Sequence, residues 1–169
     1  MLYNENIKTA RSIAMNKIII YGSCYGNARR YAEELSQKTG IPAVSFDKAV
    51  DLDQYQHIIY IGALYAGGVM GLAATAKKFT ADQRLTIATV GLADPTDPVN
   101  ESNIKKSLGE QIPQEIFDKA EIFHLRGGID YKTLGAKHKA MMWFMYKQLK
   151  KKPQAELTAE DQAVIETYG

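Results

Sequence analysis

The chain has little cysteine and no long hydrophobic run. Cys24 is the only cysteine among 169 residues, so no disulfide forms within the chain and nothing indicates an oxidising compartment. The longest apolar stretch, Ala140–Tyr146, is far shorter than a membrane-spanning helix requires. Residues 1–15 lack the apolar segment and cleavage site of a signal peptide. These absences predict a cytoplasmic protein.

The charges are nearly balanced, and the histidines are scattered. A formal net charge of +2 gives no indication of nucleic-acid binding. His57, His124 and His138 lie in different predicted elements, without the spacing of metal ligands. The sequence therefore predicts no metal site. It also contains no Ser–His–Asp or paired-carboxylate arrangement, so it identifies no catalytic residue.

Strand-like runs alternate with helix-like segments along the chain. Because the runs are short, rich in β-branched residues and mainly apolar, they indicate strands buried on both faces. The predicted strands are Lys17–Gly22, Pro42–Phe46, His57–Gly62, Arg84–Gly91 and Ala120–Leu125. Helices are predicted from Ala28 with an apolar face through Leu35, near Val69–Phe79, from Asn100, over Tyr131–Lys150 and from Thr158.

This alternation predicts an α/β fold, a doubly wound parallel sheet with helices on both faces. The length suits one domain. Met15 stands where such a domain would begin, so we interpret residues 15–169 as the domain and 1–14 as an N-terminal extension. Ligands of such sheets bind beyond the carboxyl ends of the strands, three of which end at glycine here.

The loop after the first strand has the composition of an anion-binding turn. Small residues allow a sharp turn, and the amide groups at the start of the following helix favour negative charge. Ser23 offers a hydroxyl, and Asn27 offers a helix cap or a link within the loop. A plain strand-to-helix turn explains the same composition. The candidate phosphate-binding residues are Ser23, Cys24, Tyr25, Gly26, Asn27 and Ala28.

Several motifs in this order resemble the flavodoxin family, and most closely its branch containing the menaquinone-dependent protoporphyrinogen oxidases. They are Tyr21-Gly22-Ser23, Tyr25-Gly26, Ala32–Leu35, Ile61–Gly67 and Gly127-Gly128. The resemblance implies a flavodoxin-like sheet of five parallel strands in the order 2-1-3-4-5, one noncovalently bound FMN, and electron transfer. Flavodoxins bind the FMN phosphate through several loop hydroxyls, where this chain has Cys24, Tyr25 and Ala28. Each missing bond costs roughly 1.5–3 kcal/mol, so we expect weakened FMN binding.

Two further loops would border the flavin ring. In the first loop, Tyr65 could stack on the ring and the glycines could allow a peptide to rotate, although a plain surface turn is the alternative. The candidate residues of this loop are Ala63, Tyr65, Ala66, Gly67 and Gly68. In the second, Leu92, Ala93 and Asp94 follow the fourth strand. Asp94 and Asp97 would lower the reduction potential by repelling negative charge, or they simply form turns.

The long helix has a second surface of interest. Leu134, His138, Met141, Met145 and Leu149 share one face, which we expect to pack on the sheet. Trp143 points almost the opposite way, among Lys139, Lys147 and Lys150. This pattern suits an anionic membrane surface or a protein partner, unless the N-terminal extension or the final helix covers it.

The sequence leaves two functions open. The first is an FMN-dependent redox protein, an electron carrier or an oxidoreductase whose partner is a redox protein, a quinone or a porphyrinogen. The porphyrinogen oxidases carry a long basic segment before the last helix, whereas Arg126–Lys139 is compact and poor in arginine. The second is an interaction module of the same fold that has lost or weakened flavin binding.

Overall fold

The computed structural model describes residues 16–48, 51–65, 68–92, 94–128 and 134–157, together with 161, 164, 165 and 168. The chain divides into two compact units, Met1–Gly127 and Gly128–Gly169. The predicted N-terminal extension, the predicted helix start at Thr158, and the candidate residues Ala66, Gly67 and Ala93 lie outside the described residues.

The first unit contains the predicted parallel sheet. Its strands are β1 (Lys17–Gly22), β2 (Ala43–Ser45), β3 (His57–Tyr65), β4 (Gly68–Val69), β5 (Arg84–Gly91) and β6 (Glu121–Arg126). The parallel strands follow the order β2-β1-β3-β5-β6, and β4 pairs with β3 in the antiparallel direction. Apart from the short β4, this is the predicted order, which confirms the doubly wound α/β fold.

Helices of the first unit cover both faces of the sheet. They are α1 (Asn27–Thr39), α2 (Leu72–Ala76), α3 (Pro98–Gly109) and α4 (Gln114–Phe117). Ala28 and Ala32 of α1 pack with Ile19 of β1 in one apolar layer. The opposite layer joins Tyr60 of the sheet to residues of α2, α3 and α4, and its helix residues include Leu72, Leu108 and Ile116.

The second unit contains α5 (Ala136–Leu149) and a 3₁₀ turn at Gln154–Glu156. The predicted inward face was wrong at Met141, whose side chain is 56% exposed, whereas Met142 and Leu149 are buried. Apolar side chains occupy every position from Ala140 to Tyr146, so periodicity alone did not identify the buried face.

The predicted helix near Val69–Phe79 was also wrong at its start. Leu64 pairs with Val69 and Tyr65 with Gly68, so β3 and β4 form a hairpin, and α2 begins only at Leu72. Gly71 precedes that helix with φ +78°, and a Cβ there would overlap the Phe46 ring. Position 71 therefore requires glycine for two reasons, its left-handed backbone conformation and the nearby side chain. Both reasons depend on the tertiary structure.

Candidate functional site

The site lies where the carboxyl ends of β1, β3 and β5 meet. Gly22, the last residue of β1, pairs with Gly62, and Gly62 pairs with Thr89 of β5. From this level β1 leads into α1 on one face, whereas β3 leads through the hairpin into α2 on the other. The chain therefore changes face between β1 and β3, which is where open α/β sheets bind their ligands.

A glycine allows the hairpin to close over the end of β1. A Cβ on Gly22 would overlap the main-chain oxygen of Met70 and would lie 3.2 Å from the Tyr60 hydroxyl. That hydroxyl donates a hydrogen bond of 2.7 Å to the Met70 oxygen. Burial raises the pKa of Tyr60, so the hydroxyl keeps its proton and stays a donor. Sequence reasoning missed this contact, because no local pattern connects Tyr60 with Met70.

The first turn of α1 presents main-chain amides at this edge. Gly26 is the N-cap residue, with φ +88°, and a Cβ there would meet no described heavy atom within 4 Å. The first helical hydrogen bond is donated by Arg30 to the Gly26 oxygen at 2.8 Å. The amides of the preceding residues in this turn point outward from the helix end, as in any α-helix. Asn27 is the first helical residue rather than the cap.

Ser23 has a structural role that the composition of the loop did not indicate. Its Oγ accepts a hydrogen bond of 3.1 Å from the Gly26 amide, so it braces the loop. As an acceptor in that bond, the hydroxyl retains its own proton for donation to a second group. The side chain is half-buried between strand and helix.

The other candidates of this loop differ in exposure. Cys24 is exposed, Tyr25 and Asn27 are half-buried, and Ala28 is fully buried against Ile19. Ala28 can therefore contribute its amide but not a side chain. Arg29, the next residue, forms an ion pair of 2.7 Å with Glu33, one turn along the helix.

The end of β3 carries an exposed aromatic ring. Tyr65 is 40% exposed at the end of β3, and Gly68 faces it across the ladder. The amide of Val69 donates 2.9 Å to Oε1 of Gln111, whose Nε2 in turn donates 2.8 Å to the Ser107 oxygen. Met70 donates 2.9 Å to the oxygen of Ala63, another candidate residue. No motif around Gln111 in the sequence indicated this bracing role.

The loop after β5 has an exposed apolar residue and two engaged aspartates. Leu92 is 44% exposed, directly after Gly91. The Asp94 carboxylate accepts hydrogen bonds from the Thr96 amide at 2.9 Å and the Thr96 hydroxyl at 2.8 Å. These bonds lower the pKa of Asp94. Asp97 accepts 2.8 Å from the Val99 amide and caps α3, so both aspartates do form turns.

The sequence matches a known protein family. The family model described as "Flavodoxin domain" matches residues 18–156. The chain belongs to the flavodoxin domain family. Comparison with curated proteins gave no match.

Solved structures of low similarity were also found. A flavoprotein from Lactobacillus acidophilus in complex with FMN is 12% identical, with a TM-score of 0.45; the alignment covers 66% of this chain and 92% of that one. A metal-soaked flavodiiron core from Synechocystis is 12% identical, with a TM-score of 0.47, covering 73% of this chain and 33% of that one.

Two histidines of this flavodoxin-domain chain are bound to threonines of neighbouring strands. His57 Nε2 lies 2.9 Å from the Thr86 hydroxyl, and His124 Nδ1 lies 2.7 Å from the Thr89 hydroxyl. Burial lowers the pKa of both histidines. Within the described residues, no group of three or more His, Cys, Asp or Glu is arranged to hold a metal ion, and no helix is suited to span a membrane.

Proposed function

We propose that this flavodoxin-domain protein binds FMN at the carboxyl edge of its sheet and transfers electrons. The observation that carries the proposal is the open N-terminus of α1 at the point where the chain changes face. Family membership over residues 18–156 supports the same position for the cofactor.

The residues present fit the phosphate of FMN. A thirteen-residue helix begins here, and the first-turn amides and positive dipole end of a helix both favour an anion. A Cβ on Gly26 would meet no described heavy atom within 4 Å, so described residues do not crowd the cap position. Ser23 Oγ, held 3.1 Å from the Gly26 amide, would donate its proton to a phosphate oxygen.

The residues also fit a flat aromatic ring. Leu64 packs against Gly91, because a Cβ on that glycine would lie 2.6 Å from Leu64 Cδ1. The exposed Tyr65 and Leu92 each follow one of these two contacting residues. They would supply an apolar wall for the isoalloxazine, whose own chemistry is the transfer of one or two electrons.

Charges of this chain would tune that chemistry. The lowered pKa of Asp94 means that its carboxylate is ionised throughout the neutral range. A fixed negative charge beside the ring disfavours additional negative charge there, which would lower the reduction potential. The partner in this proposal is a redox protein or a quinone. The porphyrinogen-linked branch is less favoured, because Arg126–Lys139 is compact.

The second candidate function is an interaction module of the same fold. Ala28 is buried and has no polar side-chain atom, and Cys24 has a thiol in place of a hydroxyl, so fewer hydroxyls are available to the phosphate. Binding of FMN separates the two candidates.

The test is a titration of the purified full chain with FMN and, in parallel, with riboflavin. We expect quenching of flavin fluorescence and a shifted visible spectrum with FMN. Because riboflavin lacks the phosphate, it should bind at least tenfold more weakly if the α1 amides hold that group. Anaerobic reduction of the FMN complex would then measure the potential.

Two outcomes contradict the proposal. Absence of any spectral change at millimolar FMN would favour the interaction module. Equal affinity for FMN and riboflavin would show that the N-terminus of α1 is not the phosphate site.

A further inference from the structure

The outward face of α5 combines large apolar side chains with lysines. Met141, Trp143 and Phe144 are 56%, 52% and 58% exposed, whereas Met142 and Leu149 are buried. At 100° per residue, Trp143 and Phe144 lie on the side of the helix opposite Met142 and Leu149. We call this exposed face, with its flanking Lys137, Lys139, Lys147 and Lys150, the basic aromatic face.

The charge of this segment has one sign. Every Asp, Glu, Lys or Arg between positions 131 and 155 is a lysine. Lys147 Nζ lies 5.7 Å from the centre of the Trp143 ring, and Lys150 Nζ lies 5.0 Å from the centre of the Tyr146 ring. Each of these ammonium groups therefore lies over an aromatic ring at the distance of a cation–π contact.

We propose that the basic aromatic face binds the surface of an anionic lipid bilayer. Tryptophan prefers the interface between headgroups and acyl chains, and each lysine near an anionic surface adds electrostatic attraction. A protein partner is the weaker match, because protein interfaces are enriched in arginine and depleted in lysine, whereas the charged residues of this segment are all lysines. The inference does not depend on flavin binding.

The sole tryptophan makes the test specific. Trp143 is the only tryptophan of the chain, so intrinsic tryptophan emission reports on this face alone. The full chain would be mixed with vesicles of phosphatidylcholine, or with vesicles of phosphatidylcholine and phosphatidylglycerol in equal parts. We expect a blue shift and quenching by brominated lipid only with the anionic vesicles. High salt should reverse both effects.

Matched lysine variants test the charge. The double variant Lys147→Gln, Lys150→Gln should bind anionic vesicles about 30-fold more weakly in a sedimentation assay. This factor corresponds to the loss of the electrostatic attraction of two lysines. The control Lys48→Gln, Lys77→Gln removes two exposed lysines of the first unit and should bind like the parent chain. Far-ultraviolet circular dichroism checks that each variant is folded.

Three results would overturn the proposal. The first is an unchanged Trp143 emission with anionic vesicles. The second is equal vesicle binding by both lysine pairs. The third is a blue shift that grows with protein concentration in the absence of lipid, because a second copy of the chain would then cover the face.

Discussion

At the amino ends of the strands one side chain, Gln83, ties separate loops together, whereas the loops at the carboxyl ends are braced by hydrogen bonds of their own and also expose large side chains. Gln83 Nε2 donates 2.7 Å to the Leu52 oxygen and 2.9 Å to the Tyr55 oxygen, and its Oε1 accepts 3.0 Å from the Thr80 amide. At the opposite edge Tyr65 and Leu92 are 40% and 44% exposed. Gln83 therefore joins loops at one end of the sheet, and the exposed side chains at the other end are available to a ligand.

This difference separates stability from binding. A side chain that ties loops at the amino end should affect unfolding and leave ligand affinity unchanged. A side chain at the carboxyl end that braces only a turn should do the opposite. Gly22 is the exception, because it lies at the carboxyl end yet contacts the hairpin backbone.

The largest effect is expected for Gly22→Ala. The new methyl group would overlap the Met70 oxygen. Because that oxygen and the Cβ are both fixed to main chain, neither can move aside easily, so we expect a loss of about 3 kcal/mol in unfolding free energy. Urea denaturation measures it. The control Gly109→Ala adds a methyl group into open space at the end of α3 and should change stability by less than about 1 kcal/mol. Equal midpoints for the two variants would refute the close contact.

Ser23→Ala should weaken FMN rather than the fold. It removes the acceptor for the Gly26 amide and one donor to the phosphate, which is worth roughly tenfold to a hundredfold in affinity. Fluorescence titration measures the affinity. Ser23→Thr keeps the hydroxyl and should bind within a fewfold of the parent, and Ser102→Ala, an exposed site on α3, should have no effect. Unchanged affinity in Ser23→Ala would remove this side chain from the site.

Gln83→Ala should have the opposite profile. Two carbonyl groups lose their donor at a half-buried position, so we expect a loss of about 1–2 kcal/mol in unfolding free energy with FMN affinity unchanged. Gln37→Ala, exposed on α1, should stay within about 0.5 kcal/mol of the parent. A large loss of FMN affinity in folded Gln83→Ala would show that the two ends of the sheet are coupled.

The smallest effect concerns pH and the two threonine-bound histidines. Burial lowers the pKa of His57 and His124 in the folded state, so the unfolded chain binds protons more readily. Stability is therefore full above the ordinary histidine pKa of about 6.5 and declines as the pH falls below it. Denaturation between pH 7.5 and 5, above the ordinary carboxyl range, should show this decline. His57→Gln with His124→Gln should flatten it; an unchanged slope would assign the decline to other groups.

Local patterns predicted the strands that are buried on both faces. The bounds of β1 and β5 were predicted to the residue, because each is a mainly apolar run rich in β-branched residues that begins at a basic residue and ends at glycine. The hairpin was missed, because its second strand has only two residues and depends on pairing with Leu64 and Tyr65. The buried face of α5 was misassigned at Met141, because apolar residues surround that part of the helix.

The sequence by itself determined the parallel sheet, its coverage on both faces and the edge where its glycine-ended strands meet, because alternation and burial patterns are local properties of the chain. Only the tertiary structure decided that Gly22 accommodates the Met70 oxygen, that Ser23 braces Gly26, and that α5 leaves Trp143 exposed. Those features depend on which distant backbone and side-chain atoms approach each other, and spacing along the chain does not encode such distances.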